Sequence, residues 1–243
     1  MEHTAKWALE DLPSLWSWRA SAFADLFSRC VYPWDALTLL DEWLTARLDE
    51  EGGGVIQSAL PEGVHLEGPV HIGRDCRIEP GVFLRGPAWI DDGCELRSGC
   101  YLRGSVLAGA GCVLGHASEF KHCILLEHAQ APHFDYVGDS VLGAGAHVGA
   151  GVVLSNYRLD GKPVAIHLPQ AEGQVLRIET GLPKFGALLG DHCEVGCNTV
   201  LNPGTILGER STVLPLALVS GVWRAGSRIM PTSPLLPGTR AQS

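Results

Sequence analysis

Residues 64–102 read VHLEGPVHIGRDCRIEPGVFLRGPAWIDDGCELRSGCYL, and this stretch decides the fold. A large apolar residue recurs at every sixth place: Leu66, Ile72, Ile78, Leu84, Ile90, Leu96 and Leu102. Two positions before each stands a smaller side chain: Val64, Val70, Cys76, Val82, Ala88, Cys94 and Cys100. A period of six is neither the 3.6 of a helix nor the 2 of a strand. It is the period of a parallel β-helix, in which three hexapeptides close one triangular coil of about 18 residues. Each large residue then fills the interior, and neighbouring coils bury one another's edges.

The register runs on through Ala108, Leu114, Phe120 and Leu126, with Val106, Cys112, Ser118 and Ile124 in the smaller slot, where Ile124 is the largest occupant. A slip is expected around Pro132. The pattern resumes at Leu142, Val148 and Leu154, breaks over about 156–186, and returns from Leu189 through Val195, Leu201, Leu207 and Val213 to Val219. Inside the break, Val164, Ile166 and Leu168 alternate, as do Val175, Leu176 and Ile178, on either side of Gln170-Ala171-Glu172-Gly173. That arrangement predicts a protruding hairpin.

Residues 1–55 change period. Trp7, Leu12, Leu15, Trp16 and Trp18, then Phe23, Leu26 and Phe27, then Trp34, Leu37, Leu40, Trp43, Leu44 and Leu48 have helical spacing that stops at Gly52-Gly53-Gly54. The expectation is a short helical segment capping one end of a β-helix spanning 56–220, with 221–243 as a tail. The chain is thus expected to be mainly β.

Composition narrows the function. A net charge of −9 disfavours nucleic acid or an anionic membrane as partner. No apolar run approaches the roughly 20 residues of a membrane span. The opening Met1-Glu2-His3-Thr4-Ala5-Lys6 lacks a signal-peptide pattern, so a cytoplasmic location is expected. Cys76, Cys94, Cys100, Cys112 and Cys193 occupy the small inward slot, as small hydrophobes rather than metal ligands.

Stacking turns a spacing of 18 into adjacency, so Arg85, Arg103 and Lys121 form an outward column of cations. At about 4.8 Å such charges repel by roughly 1 kcal/mol even in water, and an anion against them would relieve it. His116, His122 and His128 are six apart, which places them on successive sides of one triangle. They cannot meet on one metal within a chain, and a zinc-dependent carbonic anhydrase would need a subunit junction. His133 differs, because it stands at the expected slip, where a side chain can be aimed off the regular wall.

Gly115-His116-Ala117-Ser118-Glu119-Phe120-Lys121, Pro132-His133-Phe134-Asp135-Tyr136-Val137-Gly138-Asp139, Gly149-Ala150-Gly151 and Ser155-Asn156-Tyr157 carry a resemblance. Together they resemble the acetyltransferase half of the bifunctional glucosamine-1-phosphate acetyltransferase/uridylyltransferases. Thr180-Gly181-Leu182-Pro183-Lys184-Phe185-Gly186-Ala187 and Asn202-Pro203-Gly204 are similar to the archaeal-type sugar-1-phosphate members. The resemblance covers about residues 60–220.

It implies a left-handed β-helix, a homotrimer with sites between subunits, acetyl-CoA as co-substrate without a metal, and a role in UDP-N-acetylglucosamine biosynthesis. By the same resemblance His133 is the general base, with Glu119 its partner and Asn156 also catalytic. Arg103, Lys121, Tyr136, His147, Tyr157 and Lys162 would bind the sugar phosphate; Ala150 and Cys197 would line the acetyl-CoA site. His147 stands where the family more often has Asn, and Cys197 near a usual small hydroxyl residue. Residues 1–55 are too short for the family's nucleotide-binding sheet, so a stand-alone acyltransferase is expected. The acceptor that the resemblance implies is glucosamine 1-phosphate or galactosamine 1-phosphate. A nucleotide-linked amino sugar, or a trimeric scaffold that binds one without turnover, are the alternatives.

Overall fold

A computed structural model describes residues 15–16, 21–169 and 174–231. Trp7, Leu12, Trp18 and the centre of the predicted hairpin turn lie outside the described residues. Short strands stack into three parallel sheets of eight strands each, the walls of a triangular β-helix. The first face carries Leu84, Leu102, Phe120, Val137, Leu154 and Leu201 inward, the second Ile72, Ile90, Leu142, Leu189 and Leu207, the third Leu96, Leu114, Val148 and Val213. All belong to one buried interior. Cys94, Cys100, Cys112 and Cys193 are buried there, with Cys76 half-buried beside them. The thiols of Cys76, Cys94, Cys112 and Cys193 donate to the carbonyls of Asp91, Gly109, Leu126 and Gly208, at 3.2, 3.1, 3.1 and 3.2 Å.

The register differs from the sequence reading between Lys121 and Ser140. Phe120 pairs with Leu102, 18 residues back, but Cys123 pairs with Val106 and Leu125 with Ala108, each 17 back. One residue is therefore missing from the turn Lys121-His122-Cys123. The inward residues are Cys123 and Leu125, while Ile124 and Leu126 face outward. The predicted Ile124 and Leu126 pairing is corrected, and so is the position of the slip. The turn Gly138-Asp139-Ser140 is short in the same way, since Leu142 pairs with Leu125, again 17 back. Pro132 itself lies within a regular strand, Gln130–His133.

Helix α1 (Ala24–Phe27) and helix α2 (Asp35–Glu50) lie along the flank of the second face rather than over an end. The reason is the outward column of that face: Trp89, Leu107, Ile124, Val141, Leu188 and Ile206, all buried. Leu37, Leu40, Trp43, Leu44 and Leu48 of α2 cover it. At its start Trp34 meets Phe185, ring centroids 6.1 Å apart; at its end Glu51 meets His71 at 2.6 Å. Sixteen residues rise roughly 24 Å, which is the height of about five coils. Helix length and column length match.

The predicted hairpin is present as antiparallel strands Ala165–Pro169 and Val175–Glu179. Its inner side chains, Val164, Ile166 and Leu168, are buried in the same apolar layer over the second face, beside Ile206 and Val222. The β-helix also continues past the expected tail boundary, through Val222–Trp223 and Arg228–Ile229.

Candidate functional site

Among the described residues the first face has no such cover, and the structure brings most of the predicted residues onto it. Tyr101, Glu119 and Tyr136 succeed one another in its first outward column. Arg85 and Arg103 precede Lys121 in the next, and Gly138 follows. Where the third face turns into the first, His116, His133, Ala150 and Cys197 stack coil upon coil. The backbone steps are fixed by Gly151 donating to the His133 carbonyl and Asn198 to the Ala150 carbonyl, each at 2.9 Å. At the opposite corner, into the second face, stand His122, Asp139 and Asn156. Three coils of one wall thus hold a strip running from His133 through Glu119 and Tyr136 to Lys121 and Asn156.

The cation column exists, but each cation has a carboxylate. Arg85 Nε bonds Glu67 at 3.0 Å, Arg103 Nη1 bonds Glu119 at 2.6 Å, and Lys121 Nζ meets Asp139 at 3.2 Å. The mutual repulsion expected from spacing alone is therefore offset inside the chain. Glu119, expected beside His133, is bonded to Arg103, and that bond raises the guanidinium pKa further.

His133 is exposed and its ring makes no hydrogen bond among the described residues; its ring contact is with Phe134, at 6.4 Å. The other stacked histidines are engaged: His116 Nδ1 with the Ser98 carbonyl at 2.6 Å, and His122 Nδ1 with Asp139 at 2.9 Å. His116, His122 and His128 do sit at three successive corners, and no group of three or more metal-ligating side chains occurs among the described residues. His147 is around the corner on the third face, with Nδ1 2.9 Å from Glu194, so it does not join the strip. Tyr157 is exposed, as is Lys162, whose backbone N–H donates to Asp160 at 3.3 Å; both lie on the segment leaving Asn156.

Two aspartates were quoted in the motif without a role. Asp135 occupies the small inward slot that Cys100, Ser118, Val152 and Thr199 fill in other coils. It accepts the N–H groups of His133 and Val152, each at 3.0 Å, and so fixes the backbone that presents His133. Burial pushes its carboxyl up to about 7, against the pull of those amides. Asp139, 4% exposed, bonds Lys121, His122 and Asn156. Burial opposes its ionisation, but His122, Lys121 and Asn156 together hold its pKa below the usual carboxylate value. Asn156 Nδ2 also donates to the Tyr136 hydroxyl at 3.1 Å. Burial raises the Tyr136 pKa, and the Asn156 bond opposes that.

These features define a class: a hexapeptide-repeat parallel β-helix with one wall covered by helices and another carrying a polar strip edged by an imidazole that has no hydrogen-bond partner among the described residues. Known proteins narrow it further. The chain is 35% identical over 107 residues to a bifunctional sugar-1-phosphate nucleotidylyltransferase/acetyltransferase of Sulfurisphaera tokodaii, covering 44% of this chain and 25% of that one. It is 36% identical over 182 residues to a bifunctional protein GlmU of Methanococcus maripaludis, covering 75% of this chain and 42% of the relative. An uncharacterized acetyltransferase of Escherichia coli, YaiX, is 30% identical over 106 residues, 44% of each chain. The matching region therefore spans less than half the length of these relatives. No family profile matches the chain. No helix among the described residues is long and apolar enough to cross a membrane.

Proposed function

We propose that the chain is an acyltransferase that moves the acetyl group of acetyl-CoA onto the amine of an amino-sugar 1-phosphate, glucosamine 1-phosphate or galactosamine 1-phosphate. The observation that carries this reading is the open strip, with an unpartnered imidazole at one end and the donors Arg103, Lys121 and Tyr136 further along. In these acceptors the C2 amine and the C1 phosphate sit on adjacent ring carbons, so one wall carrying both a base and cationic donors suits them.

An amine attacks a thioester as its free base, so a group titrating near neutrality must take the proton that attack releases. His133 takes it. The C–N bond forms, the C–S bond breaks, and the proton passes on to the departing CoA thiolate. Amide and free thiol result, with no covalent enzyme intermediate. Glu119, bonded to Arg103, holds that guanidinium on the strip. Lys121, Arg103 and Lys162 hold the phosphate through charge-assisted bonds, and Asn156 and Tyr157 position the amino sugar. Ala150 and Cys197, stacked beyond His133 on its corner, offer acetyl-CoA a line of approach to the base.

The working form is a homotrimer. Phe134, Leu216 and Leu218 leave exposed apolar surface on the uncovered flank, which supports apposition of a second copy. The first strand of the hairpin is buried over the second face, so the strip is not roofed by it, which favours a small acceptor over a nucleotide-linked one. An unpartnered, solvent-facing His133 favours turnover over a binding scaffold.

The test is free-thiol release from acetyl-CoA with glucosamine 1-phosphate, galactosamine 1-phosphate and their nucleotide conjugates as acceptors. Release matched mole for mole by an acetylated sugar phosphate supports the proposal. Release without acetylated product, or turnover restricted to the nucleotide conjugates, overturns it.

A further inference from the structure

Asp139 has no part in the chemistry above, yet it touches two side chains of the strip. An ionised carboxylate only accepts hydrogen bonds. The Asn156 amide therefore turns its NH2 end, not its carbonyl, to Asp139 Oδ2. The same nitrogen donates to the Tyr136 hydroxyl at 3.1 Å, so both amide protons point into the protein. Asn156 Oδ1 makes no hydrogen bond among the described residues and is left to accept. The Tyr136 oxygen accepts from Asn156, so its own proton is free to donate outward. Lys121 keeps an N–H beyond those facing Asp139 at 3.3 and 3.2 Å.

Gly138 makes room for this arrangement. A Cβ there would stand 2.6 Å from the Tyr136 hydroxyl and 2.8 Å from Asn156 Nδ2. Its φ is not left-handed, so space rather than backbone freedom calls for glycine. The rung that follows Lys121 in the cation column is thus given over to this hydrogen-bonded pair.

We infer that Asp139 is a positioning residue that sets the hydrogen-bond polarity of the strip. It turns Asn156 so that the amide carbonyl faces the substrate as an acceptor for a sugar hydroxyl, and it leaves Tyr136 and Lys121 as donors toward the phosphate. The substrate named here rests on the acetyl-transfer reading; the orientation of Asn156 does not.

The experiment joins a substrate-free measurement with a swap of partners. In wild type without substrate, the two Asn156 side-chain amide protons should exchange slowly with water by NMR. In Asp139→Asn, compared at matched thermal midpoints, they should exchange as a solvated amide does. Loss of a hydrogen bond to a charged group predicts about 10- to 100-fold lower kcat/KM for Asp139→Asn. Asn156→Asp, which sets two carboxylates together, should be at least as impaired. The double variant Asp139→Asn/Asn156→Asp restores a donor facing an acceptor and keeps an oxygen outward. It should recover about tenfold over the worse single variant, which loss of structure alone would not do.

Fast exchange of the wild-type Asn156 amide, or a double variant no better than the two single losses combined, overturns the inference, and the wild-type exchange decides it even if a variant does not fold. A wild type inert toward every acceptor, with slow amide exchange intact, would overturn the acetyl-transfer reading instead.

Discussion

The second and first faces of the β-helix are made from the same inward repeat, and their outward columns have opposite fates. Outside the second face stand Trp89, Leu107, Ile124, Val141, Leu188 and Ile206, an apolar run buried under α2 and the hairpin. Outside the first stand Tyr101, Glu119 and Tyr136, beside Arg103 and Lys121, with nothing among the described residues folded over them. The inward slots specify a solenoid and say nothing about which wall does what. The slot beside each inward residue makes that choice, attracting the chain's own helices to one wall and leaving another open for chemistry.

The sharpest separation of the two faces is His133→Ala. Loss of a general base predicts a fall in kcat of about 10²- to 10⁴-fold, while the thermal midpoint should hold, because the ring is exposed and unbonded. A matched fall in stability would mean that His133 belongs to the scaffold. Leu188→Ala should behave in the opposite sense. A cavity under α2 costs about 2–5 kcal/mol, read as a lower urea midpoint, with kcat/KM per folded molecule unchanged. Changed kinetics would show that the covered wall reaches the site. Lys121→Met should raise KM for the sugar phosphate about tenfold with a smaller effect on kcat, the pattern for a lost charge-assisted contact.

The smallest effect concerns pH. Asp135 titrates at about 7 in the folded chain, above its unfolded value, so the folded state binds the extra proton between the two. Its contribution to stability is complete below the unfolded pKa and is lost as pH rises toward about 7. Asp135→Asn should flatten that decline in the urea midpoint; an unchanged slope would assign it to other groups.

The six-residue period was legible because interior packing enforces it at every coil. The error at Ile124 and Leu126 had a visible trace: Ile124 is the largest residue in a slot otherwise filled by Val, Cys, Ala or Ser. A bulky occupant there means that one residue has already been lost, here at His122, and that inward and outward have exchanged. The seat of the helices was also written in the chain, as apolar residues one place before the inward ones, but that column emerges only once coils are stacked. The strip was harder to read. Its cations stood out by spacing, and the same count of 18 reaches Glu67 from Arg85 and Asp139 from Lys121, but Glu119 meets Arg103 from the neighbouring column, 16 residues on. Asp139 neutralises Lys121 from the next coil, and Asp135 hides in an interior slot where an apolar residue is expected.

From His65 to Leu189 every change in coil length falls at one corner, between the first and second faces: one residue lost at His122, another at Asp139, and the whole hairpin gained after Asn156. The backbone closes cleanly at the base of that gain, Phe185 N–H donating to the Asn156 carbonyl at 2.9 Å and Gly186 N–H to that of Asp139 at 2.7 Å. For a protein engineer this corner is a socket. Loops of different length could be exchanged between Asn156 and Phe185 without re-registering the other two walls, provided the replacement still shelters the apolar column beneath it.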